Sequence, residues 1–398
     1  METTQRFDPR LAPLSRSVEH MAQPQEVYCD KARDVRAERV DGVLTLYCHA
    51  DMVAVNRHPA TLGLGGGGRF FGHDNPIIPI EIDGEEHRKW RRLLDPMFAP
   101  KQVQRYEKAI RSLSRDLIAN FLPAGEAELH DDFCVPLPCM SFLRIAGAPL
   151  EDLPYFMTFK DAILHPESTG ATSIEEINAV MAAAGAQFFE YIAELCAKRR
   201  AEFEPGDDVL AVLLRSNVDG RPVTDDEVYN IMFLLMFAGL DTVTSSLSCI
   251  FSWLGEHTDK RRLLIEEPAL IPAAVEELLR YESPVPHGAR FATERIDLGG
   301  GLVVERGEAM HTVWAAANLD PSAFDDPLTV DFHRGRMNHI AFASGTHRCL
   351  GSHLARLELR IAVEELLNAV PDYELAGPVV YSNTAVRAAR NLPITFRA

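Results

Sequence analysis

The chain has 398 residues, of which 46% are hydrophobic and 25% are charged. This composition is typical of a globular protein and excludes a largely disordered or fibrous chain. Forty basic and 58 acidic side chains give a formal net charge of −18, which argues against general binding to nucleic acids or anionic membranes, because those partners select basic surfaces. A chain of this length buries a core large enough to enclose a cofactor.

The first seventeen residues contain no apolar segment of the kind that a secretory signal requires. The most apolar stretch, residues 231–240, is about half as long as a ~20-residue membrane span. The seven cysteines are scattered and never spaced CxxC, which favours reduced thiols over a disulfide framework or a zinc ribbon. We therefore expect a cytoplasmic monomer.

Apolar side chains recur every three or four residues in four segments, a spacing typical of helices. The segments are residues 100–121, residues 224–256, residues 269–281 and the stretch after Gly351. The second begins at Thr224, which is placed to form a capping box with Glu227. Because this helix is apolar on almost every side without reaching membrane length, we expect it to be a buried central helix.

Strand signals are fewer and shorter, and they fall at residues 42–48, 302–304, 310–313 and 394–396. Residues 316–346 are rich in Pro, Asp and Asn and lack periodicity. A coil of that length inside a compact protein is usually functional. The sequence predicts one domain over residues 1–398 that is mainly α with small β-sheets, with a β-richer part at about residues 1–80 and a C-terminal hairpin.

The most informative motif is FASGTHRCLG, which starts at Phe342. A loop containing Gly345 brings Cys349 to the start of a helix, whose unpaired N–H groups and dipole favour an anion and should lower the pKa of the thiol. Gly351 leaves space for a flat group close to the backbone. A thiolate here suits an iron ligand, a nucleophile or a redox sensor, and a buried structural cysteine is the alternative.

The pattern FxxGxHxCxG resembles the haem-ligand signature of the cytochrome P450 family, and its five fixed positions are Phe342, Gly345, His347, Cys349 and Gly351. Three further motifs occur in the family's order, namely GEEHRKWRR from Gly84, AGLDTVTSS from Ala238 and EELLR from Glu276. Phrases such as GLDTV and DFHRGRMNHIAF most resemble the soluble bacterial camphor-hydroxylase branch. The resemblance implies the P450 fold, a triangular helical prism with a long central helix over the haem.

The resemblance also implies roles for individual residues. Cys349 would ligate the iron of haem b (iron protoporphyrin IX), and Phe342 would shield the sulfur. Ala238 and Gly239 would leave room for dioxygen, while Asp241 and Thr242 would deliver protons to it. The alternatives are an ion-pair role for Asp241 and a hydroxyl bonded to the carbonyl four residues back for Thr242.

The two haem propionates need cations or hydrogen-bond donors, and the motif matches give His87, Arg91, Arg290 and His347 this role. The alternative for His87 is a solvated helix face. Glu277 and Arg280 lie three residues apart on one helix and would bond each other and Arg334 from the long coil. We expect this second group to be structural.

The implied reaction inserts one oxygen atom from O2 into a small hydrophobic substrate that is terpenoid-like, alicyclic or aromatic. The regions that line the family's pocket are apolar here, and they contain Phe70, Phe71, Ile77, Ile78, Leu234, Phe237, Val285, Pro286 and Val386. Each of these could equally be an ordinary core residue. The GGGG run at residues 65–68 departs from the family pattern and predicts a mobile lid.

The chain has no flavin or iron–sulfur motif, so electrons must come from a partner, and the resemblance implies their delivery from NAD(P)H through a reductase and a ferredoxin. By motif position, several arginines lie near the cysteine side and suggest docking of an acidic ferredoxin; these are Arg88, Arg91, Arg336, Arg348 and Arg356.

Two other functions remain open. One is a peroxide-driven haem peroxygenase, against which Asp241 and Thr242 argue, and the other is a non-enzymatic helical ligand-binding or sensor protein.

Overall fold

The computed structural model describes residues 18–19, 21–40, 42–67, 75–164, 169–202, 206–335, 337–383 and 385–397. Three residues named above, Phe70, Phe71 and Arg336, lie outside these ranges, as does the last glycine of the GGGG run. Within them the chain is mainly helical with small sheets, as expected.

The helices in chain order are α1 (Gln25–Asp34), α2 (His49–Arg57), α3 (Gly84–Leu94), α4 (Pro100–Val103), α5 (Glu107–Phe121), α6 (Pro136–Ala146), α7 (Leu153–Leu164), α8 (Ile174–Glu202), α9 (Val209–Arg215), α10 (Asp225–Gly239), α11 (Thr242–Glu256), α12 (Thr258–Glu266), α13 (Ile271–Glu282), α14 (Trp314–Asn318) and α15 (Ser352–Ala369). The helix predicted after Pro100 is interrupted by a 3-10 turn at Gln104–Tyr106. The predicted coil begins after α14, and residues 319–351 contain neither helix nor strand where they are described.

The strands are β1 (Ala37–Val40), β2 (Val43–Leu46), β3 (Thr61–Leu62), β4 (Glu126–Glu128), β5 (Asn217–Val218), β6 (Arg221–Pro222), β7 (Gly288–Ala292), β8 (Ile296–Asp297), β9 (Val303–Val304), β10 (Ala309–Thr312), β11 (Tyr373–Leu375), β12 (Tyr381–Asn383), β13 (Arg387–Ala389) and β14 (Pro393–Phe396). The largest sheet has the order β1-β2-β10-β7-β3, so strands from the first 62 residues pair with strands from the second half of the chain. A second sheet has the order β11-β14-β4, and β12 and β13 form a separate hairpin.

The helix predicted over residues 224–256 is in fact two helices, which is a correction to the sequence-based expectation. The predicted capping box starts α10, because Thr224 Oγ1 accepts from the Glu227 amide and the Glu227 carboxylate accepts from the Thr224 amide. Leu240 and Asp241 separate α10 from α11. The Leu240 carbonyl accepts hydrogen bonds from Cys139 Sγ at 3.3 Å and Thr244 Oγ1 at 3.2 Å. Side chains that bond to helix carbonyls in this way bend a helix or interrupt it.

The two central helices form the middle of the larger hydrophobic core, which contains apolar residues from α5, α6, α8, α13 and α15. Residues 225–256 together have the length and composition of a membrane span, but 78% of their most apolar window is buried in the protein. This burial identifies them as a core helix pair. A smaller core lies between α1, α2 and the largest sheet.

Candidate functional site

The loop before α15 is held in place by its own backbone and by α2. The Cys349 amide donates to the Phe342 carbonyl at 3.0 Å, and the Arg348 amide donates to the Gly345 carbonyl at 3.2 Å. Gly345 has φ +74°, and a side chain there would collide with the Asn56 carbonyl of α2. Only glycine fits at this position. The loop therefore presents Cys349 three residues before α15, as the sequence predicts.

Cys349 is the exposed member of the seven cysteines, all of which are described. Burial is nevertheless the largest influence on its pKa, which is raised, while the Gly351 amide and the nearby arginines act in the opposite direction. The expectation of a lowered pKa is therefore wrong for the cofactor-free chain, because desolvation outweighs the helix terminus. The thiol is therefore accessible, although the surrounding protein still raises its pKa.

Two residues that are expected to lie near the haem, Gly351 and Ala238, have open space beside them. No atom lies within 4 Å of the position that a Cβ of Gly351 would occupy. Ala238 is exposed although residues 230–236 of the same helix are buried. Gly239 differs, since a Cβ there would lie 2.9 Å from the ring of Phe142 in α6. Close helix packing accounts for Gly239, and the role of making room for dioxygen stays a prediction that suits Ala238 better.

Asp241 and Thr242 lie at the break between the central helices and make the contacts that the alternative interpretations describe. Asp241 is 1% exposed, and its Oδ1 lies 3.2 Å from Nζ of Lys160, which is also buried. Lys160 Nζ in turn lies 2.8 Å from Asp161, whose side chain is 43% exposed. Thr242 Oγ1 donates to the Ala238 carbonyl at 3.0 Å. These contacts leave both residues next to the accessible Ala238.

Lys160 was not expected from the sequence, since a lysine on an apolar helix gives no signal by itself. Burial disfavours its charged form, but Asp241 and Asp161 together outweigh burial, so the net shift of its pKa is upward. Lys160 therefore stays protonated. The three side chains form a charged chain from the surface of α7 to the break in the central helices.

A second polar cluster gathers three of the predicted propionate ligands. The rings of His87 and His347 lie 4.3 Å apart, and His347 Nε2 is 2.7 Å from Oδ1 of Asp83. Arg91 Nη1 donates to the Arg348 carbonyl at 2.8 Å, which ties α3 to the cysteine loop. Burial and the neighbouring cations lower the pKa of His87 to about 4, so His87 is neutral at pH 7. The solvated face considered for His87 is thus wrong, because the side chain is buried.

Arg290, the fourth predicted ligand, is a buried cation on β7. Its Nη1 donates to the carbonyl of Ala289 at 2.7 Å, and its guanidinium lies 5.7 Å from the ring of Trp314. Burial lowers its pKa to about 10, and Asp83 only partly opposes this effect. Among the residues that the structure describes, no carboxylate bonds to it. A buried guanidinium in this condition requires an anion.

The residues expected to be structural come together. Arg280 bonds both carboxylate oxygens of Glu277 at 2.8 Å, and neither side chain is exposed. Arg334 Nε lies 3.0 Å from Glu277, and Arg280 also donates to the carbonyls of Asn318 and Pro327. One buried network thus connects α13 to the long coil that leads to Cys349.

Glu276 is a further member of the site that sequence reasoning missed, although it begins the EELLR motif. It pairs with Arg356 Nη2 at 2.8 Å and with His339 Nε2 at 3.0 Å. Burial raises the pKa of its carboxyl, but these two partners outweigh burial and bring the pKa to about 2. Arg356 also lies 4.4 Å from the ring of Phe342. Glu276 therefore helps to fix the phenyl ring that is expected to shield the sulfur.

The arginines expected to dock a ferredoxin differ in whether their side chains already have ion-pair partners. Arg356 is occupied by Glu276 and Phe342, Arg91 pairs with Asp95 at 2.6 Å and Arg88 pairs with Glu85 at 2.8 Å. Arg348 is exposed, and within the described chain its side chain has no ion-pair partner. It is the arginine whose charge is most available to a partner.

The described residues of the expected substrate pocket are apolar and mostly buried. Val285 and Phe237 are half-buried, while the rest are buried, namely Ile77, Ile78, Leu234, Pro286 and Val386. Ile77, Ile78 and Leu234 belong to the larger core. Their role in substrate binding stays a prediction.

Comparison with known proteins gives consistent matches. Residues 160–369 match the cytochrome P450 family model. Erythromycin C-12 hydroxylase from Saccharopolyspora erythraea is 35% identical over 82% of this chain and 81% of its own length. Steroid C26-monooxygenase from Mycobacterium tuberculosis is 31% identical over 89% of this chain and 95% of its own length.

Solved structures agree with the sequence matches. P450BioI, in complex with an acyl carrier protein that carries hexadec-9Z-enoic acid, has a TM-score of 0.85 at 27% sequence identity. The match covers 94% of this chain and 98% of that one.

Proposed function

We propose, on the premise that this chain belongs to the cytochrome P450 family, that Cys349 ligates its haem iron and that the enzyme oxidises a hydrophobic substrate. Membership makes the chain a monooxygenase that hydroxylates small substrates, with a haem held by a cysteine thiolate. Family membership rules out the non-enzymatic sensor. The observation that carries the assignment of Cys349 is its accessible thiol on the hydrogen-bonded loop that leads into α15.

The residues fit this cofactor by their own chemistry. Because the surrounding protein raises the pKa of the Cys349 thiol, a stable thiolate needs a neighbouring cation, and an iron ion supplies one. The buried guanidinium of Arg290 lacks an anion among its described partners, and a propionate supplies one. The open space at Gly351 suits a flat ring. When bound, the haem supplies O2 activation and cleavage of the O–O bond.

The cofactor's carboxylates would be held by His87, Arg91, Arg290 and His347. His87 is neutral at pH 7 because of its lowered pKa, so it would act as an N–H donor. Arg290 would contribute a full charge. Asp83 now accepts from the Gly63 amide at 2.8 Å while it bonds to His347, and in that position it orients the imidazole.

Proton supply is the role that we assign to the charged chain of α7. Asp161 takes a proton from water, Lys160 passes one of its own protons to the Asp241 carboxylate, and Asp161 restores the proton that Lys160 has lost. The Thr242 hydroxyl, released from the Ala238 carbonyl, donates into the accessible space next to Ala238. A carboxylate and a hydroxyl in series are suited to general acid–base catalysis.

Thr242→Val is expected to separate oxygen consumption from product formation. The substitution keeps the shape of the side chain and removes its hydroxyl, so product per NADH should fall ~10-fold or more, at the low end of what a positioned acid or base contributes. The difference should be recovered as hydrogen peroxide. Product, peroxide and NADH are measured together with excess ferredoxin and reductase.

Thr158→Val is the matched control, because Thr158 Oγ1 on α7 also bonds to the carbonyl four residues back, at 3.1 Å, and takes no part in the break between the central helices. We expect its coupling to stay near that of the wild type. If product per NADH is the same in both variants, Thr242 is not part of the proton path.

The peroxygenase alternative has its own test. Product yields with peroxide alone that match those with NADH and O2 would favour it.

The substrate is proposed to be small and hydrophobic, since the described pocket residues are apolar. The branch suggested by the sequence phrases favours a terpenoid-like, alicyclic or aromatic molecule. The relatives named above act on erythromycin and on steroids, which are larger. A low- to high-spin shift measured with camphor, a steroid, a long-chain fatty acid and a macrolide decides between these classes, and camphor should give the tightest binding.

Electrons are proposed to arrive from NAD(P)H through an acidic ferredoxin that docks near Arg348. Arg348→Glu should lower kcat/KM for the ferredoxin ~10-fold at low salt, and the difference should shrink as salt rises, because steering by rim charges is screened. The spectrum without ferredoxin should not change. Arg262→Glu, at an exposed position on α12, serves as the control, and an identical kcat/KM in both variants would refute the site.

A further inference from the structure

A buried polar cluster joins three distant parts of the chain. Arg387 Nε pairs with Glu282 Oε2 at 2.6 Å, and Arg387 Nη1 donates to Asn383 Oδ1 at 2.8 Å. Glu282 is 5% exposed, Arg387 3% and Asn383 0%. Gln25 Nε2 also donates to Glu282 Oε2, at 3.3 Å. The cluster thus connects the end of α13, the β12–β13 hairpin and the start of α1.

Asn383 attaches the segment before α1 to the hairpin. Its Nδ2 donates to the carbonyls of Val18 at 2.7 Å and Met21 at 2.9 Å, and its amide donates to the Glu19 carbonyl at 2.9 Å. Arg387 Nη2 adds a hydrogen bond to the Ala22 carbonyl at 2.8 Å. The side chains of Asn383 and Arg387 therefore supply the hydrogen bonds that several backbone carbonyls of this segment accept.

The same cluster lies beside two residues expected to line the substrate pocket. The Arg387 amide donates to the Pro284 carbonyl at 2.7 Å. Pro284 precedes Val285, and Arg387 follows Val386, so this hydrogen bond joins the two segments that carry the valines. On the other side of the hairpin, Tyr381 Oη lies 2.7 Å from Ser252 Oγ of α11.

The hairpin needs such anchors because a two-stranded sheet is marginally stable by itself. A buried ion pair also demands that all its partners stay in place, since a charge left alone inside a protein is costly. Removal of one side chain from the cluster is therefore expected to displace the hairpin and the turn at Pro284.

We propose that Asn383 and Arg387 are positioning residues that fix Val285 and Val386, and that the segment before α1 thereby sets the shape of the substrate pocket. The inference rests on the proposed function, because it assumes that the two valines face substrate. The part of a ligand whose binding depends on the cluster is the apolar part that contacts these two valines.

The test uses haem-loaded enzyme and three imidazoles of increasing apolar length, because an imidazole nitrogen ligates iron whatever the natural substrate is. Dissociation constants for imidazole, phenylimidazole and dodecylimidazole are read from the Soret band. In Asn383→Ala we expect imidazole to bind within ~2-fold of the wild type and dodecylimidazole to bind ~10-fold more weakly, which corresponds to ~1.4 kcal/mol. Phenylimidazole should lie between them.

Asn391→Ala is the matched control, since Asn391 also bonds the backbone through both amide atoms, to Val380 and Pro378. We expect it to bind all three ligands like the wild type. Arg387→Lys keeps the charge beside Glu282 but loses the forked donors, so it should show the same trend more weakly. This second variant keeps the test valid if Asn383→Ala does not fold.

The possible outcomes distinguish a failure of the positioning role from a failure of the haem site. Dissociation constants that do not change, or that change equally for all three imidazoles, overturn the positioning role and leave the proposed function intact. A wild-type protein whose Soret band does not respond to imidazole contradicts the haem site itself.

Discussion

Arg280→Met is expected to produce a protein that contains little haem and is less stable by ~3–5 kcal/mol, the usual cost of breaking a buried ion pair on one side. The substitution leaves the fully buried Glu277 carboxylate with Arg334 and the Asp331 amide as its partners. It also removes the donor to the carbonyls of Asn318 and Pro327, which hold the long coil. Because that coil leads to Cys349, the site should not assemble.

The measurement combines urea unfolding with the ratio of haem to protein. A Glu277→Gln/Arg280→Met double variant is the informative control, because it removes both charges and should recover part of the stability. Since the coil still lacks its donor, the haem ratio of the double variant should stay low. A single variant with the wild-type midpoint and full haem would show that the network does not position the coil.

Cys349→Ser is expected to abolish turnover with NADH and O2 while the chain stays folded. The loop is held by backbone hydrogen bonds from Cys349 and Arg348, and a serine keeps both. A hydroxyl is a far weaker ligand and donor of electron density than a thiolate. Thermal unfolding, haem content and product formation are measured on the same preparations.

Cys196→Ser is the control for this substitution, because Cys196 is a buried cysteine on α8 whose pKa is raised to about 11 by burial. It should lose some stability and keep its turnover. Turnover that survives in Cys349→Ser, or is lost equally in Cys196→Ser, would contradict a special role for the thiol of residue 349.

Local patterns in the sequence predicted the segments that form α4 with α5, α10 with α11, α13 and α15, and the glycine-containing loop before α15. The apolar spacing located the central helices, and Thr224 and Glu227 formed the expected capping box. The family and its haem followed from fixed motif positions such as Cys349 and Gly345, because each motif carries its own geometric requirement.

Features that depend on distant parts of the chain could not be predicted. The break in the central helix depends on Cys139 from α6, and the partner of Asp241 comes from α7. β7 is short, and one of its two partners, β3, lies far away near the start of the chain. The raised pKa of Cys349 reflects burial, which a motif does not report.

Charged partners were missed for a related reason. Glu276 looked like an ordinary helix residue beside Glu277, yet it binds Arg356 and His339. In the same way, nothing in the local sequence connects Asn383 to residues 18–22. Such pairs become visible only when the fold brings the segments together.

The central claim is that the thiolate of Cys349 binds the haem iron, and the absorption spectrum of the reduced protein under carbon monoxide tests it most directly. We predict a Soret band at the long wavelength typical of thiolate ligation in the purified wild-type protein, and none in Cys349→Ser. A wild-type band at the shorter wavelength typical of imidazole ligation, or a thiolate band that persists in Cys349→Ser, would contradict the claim.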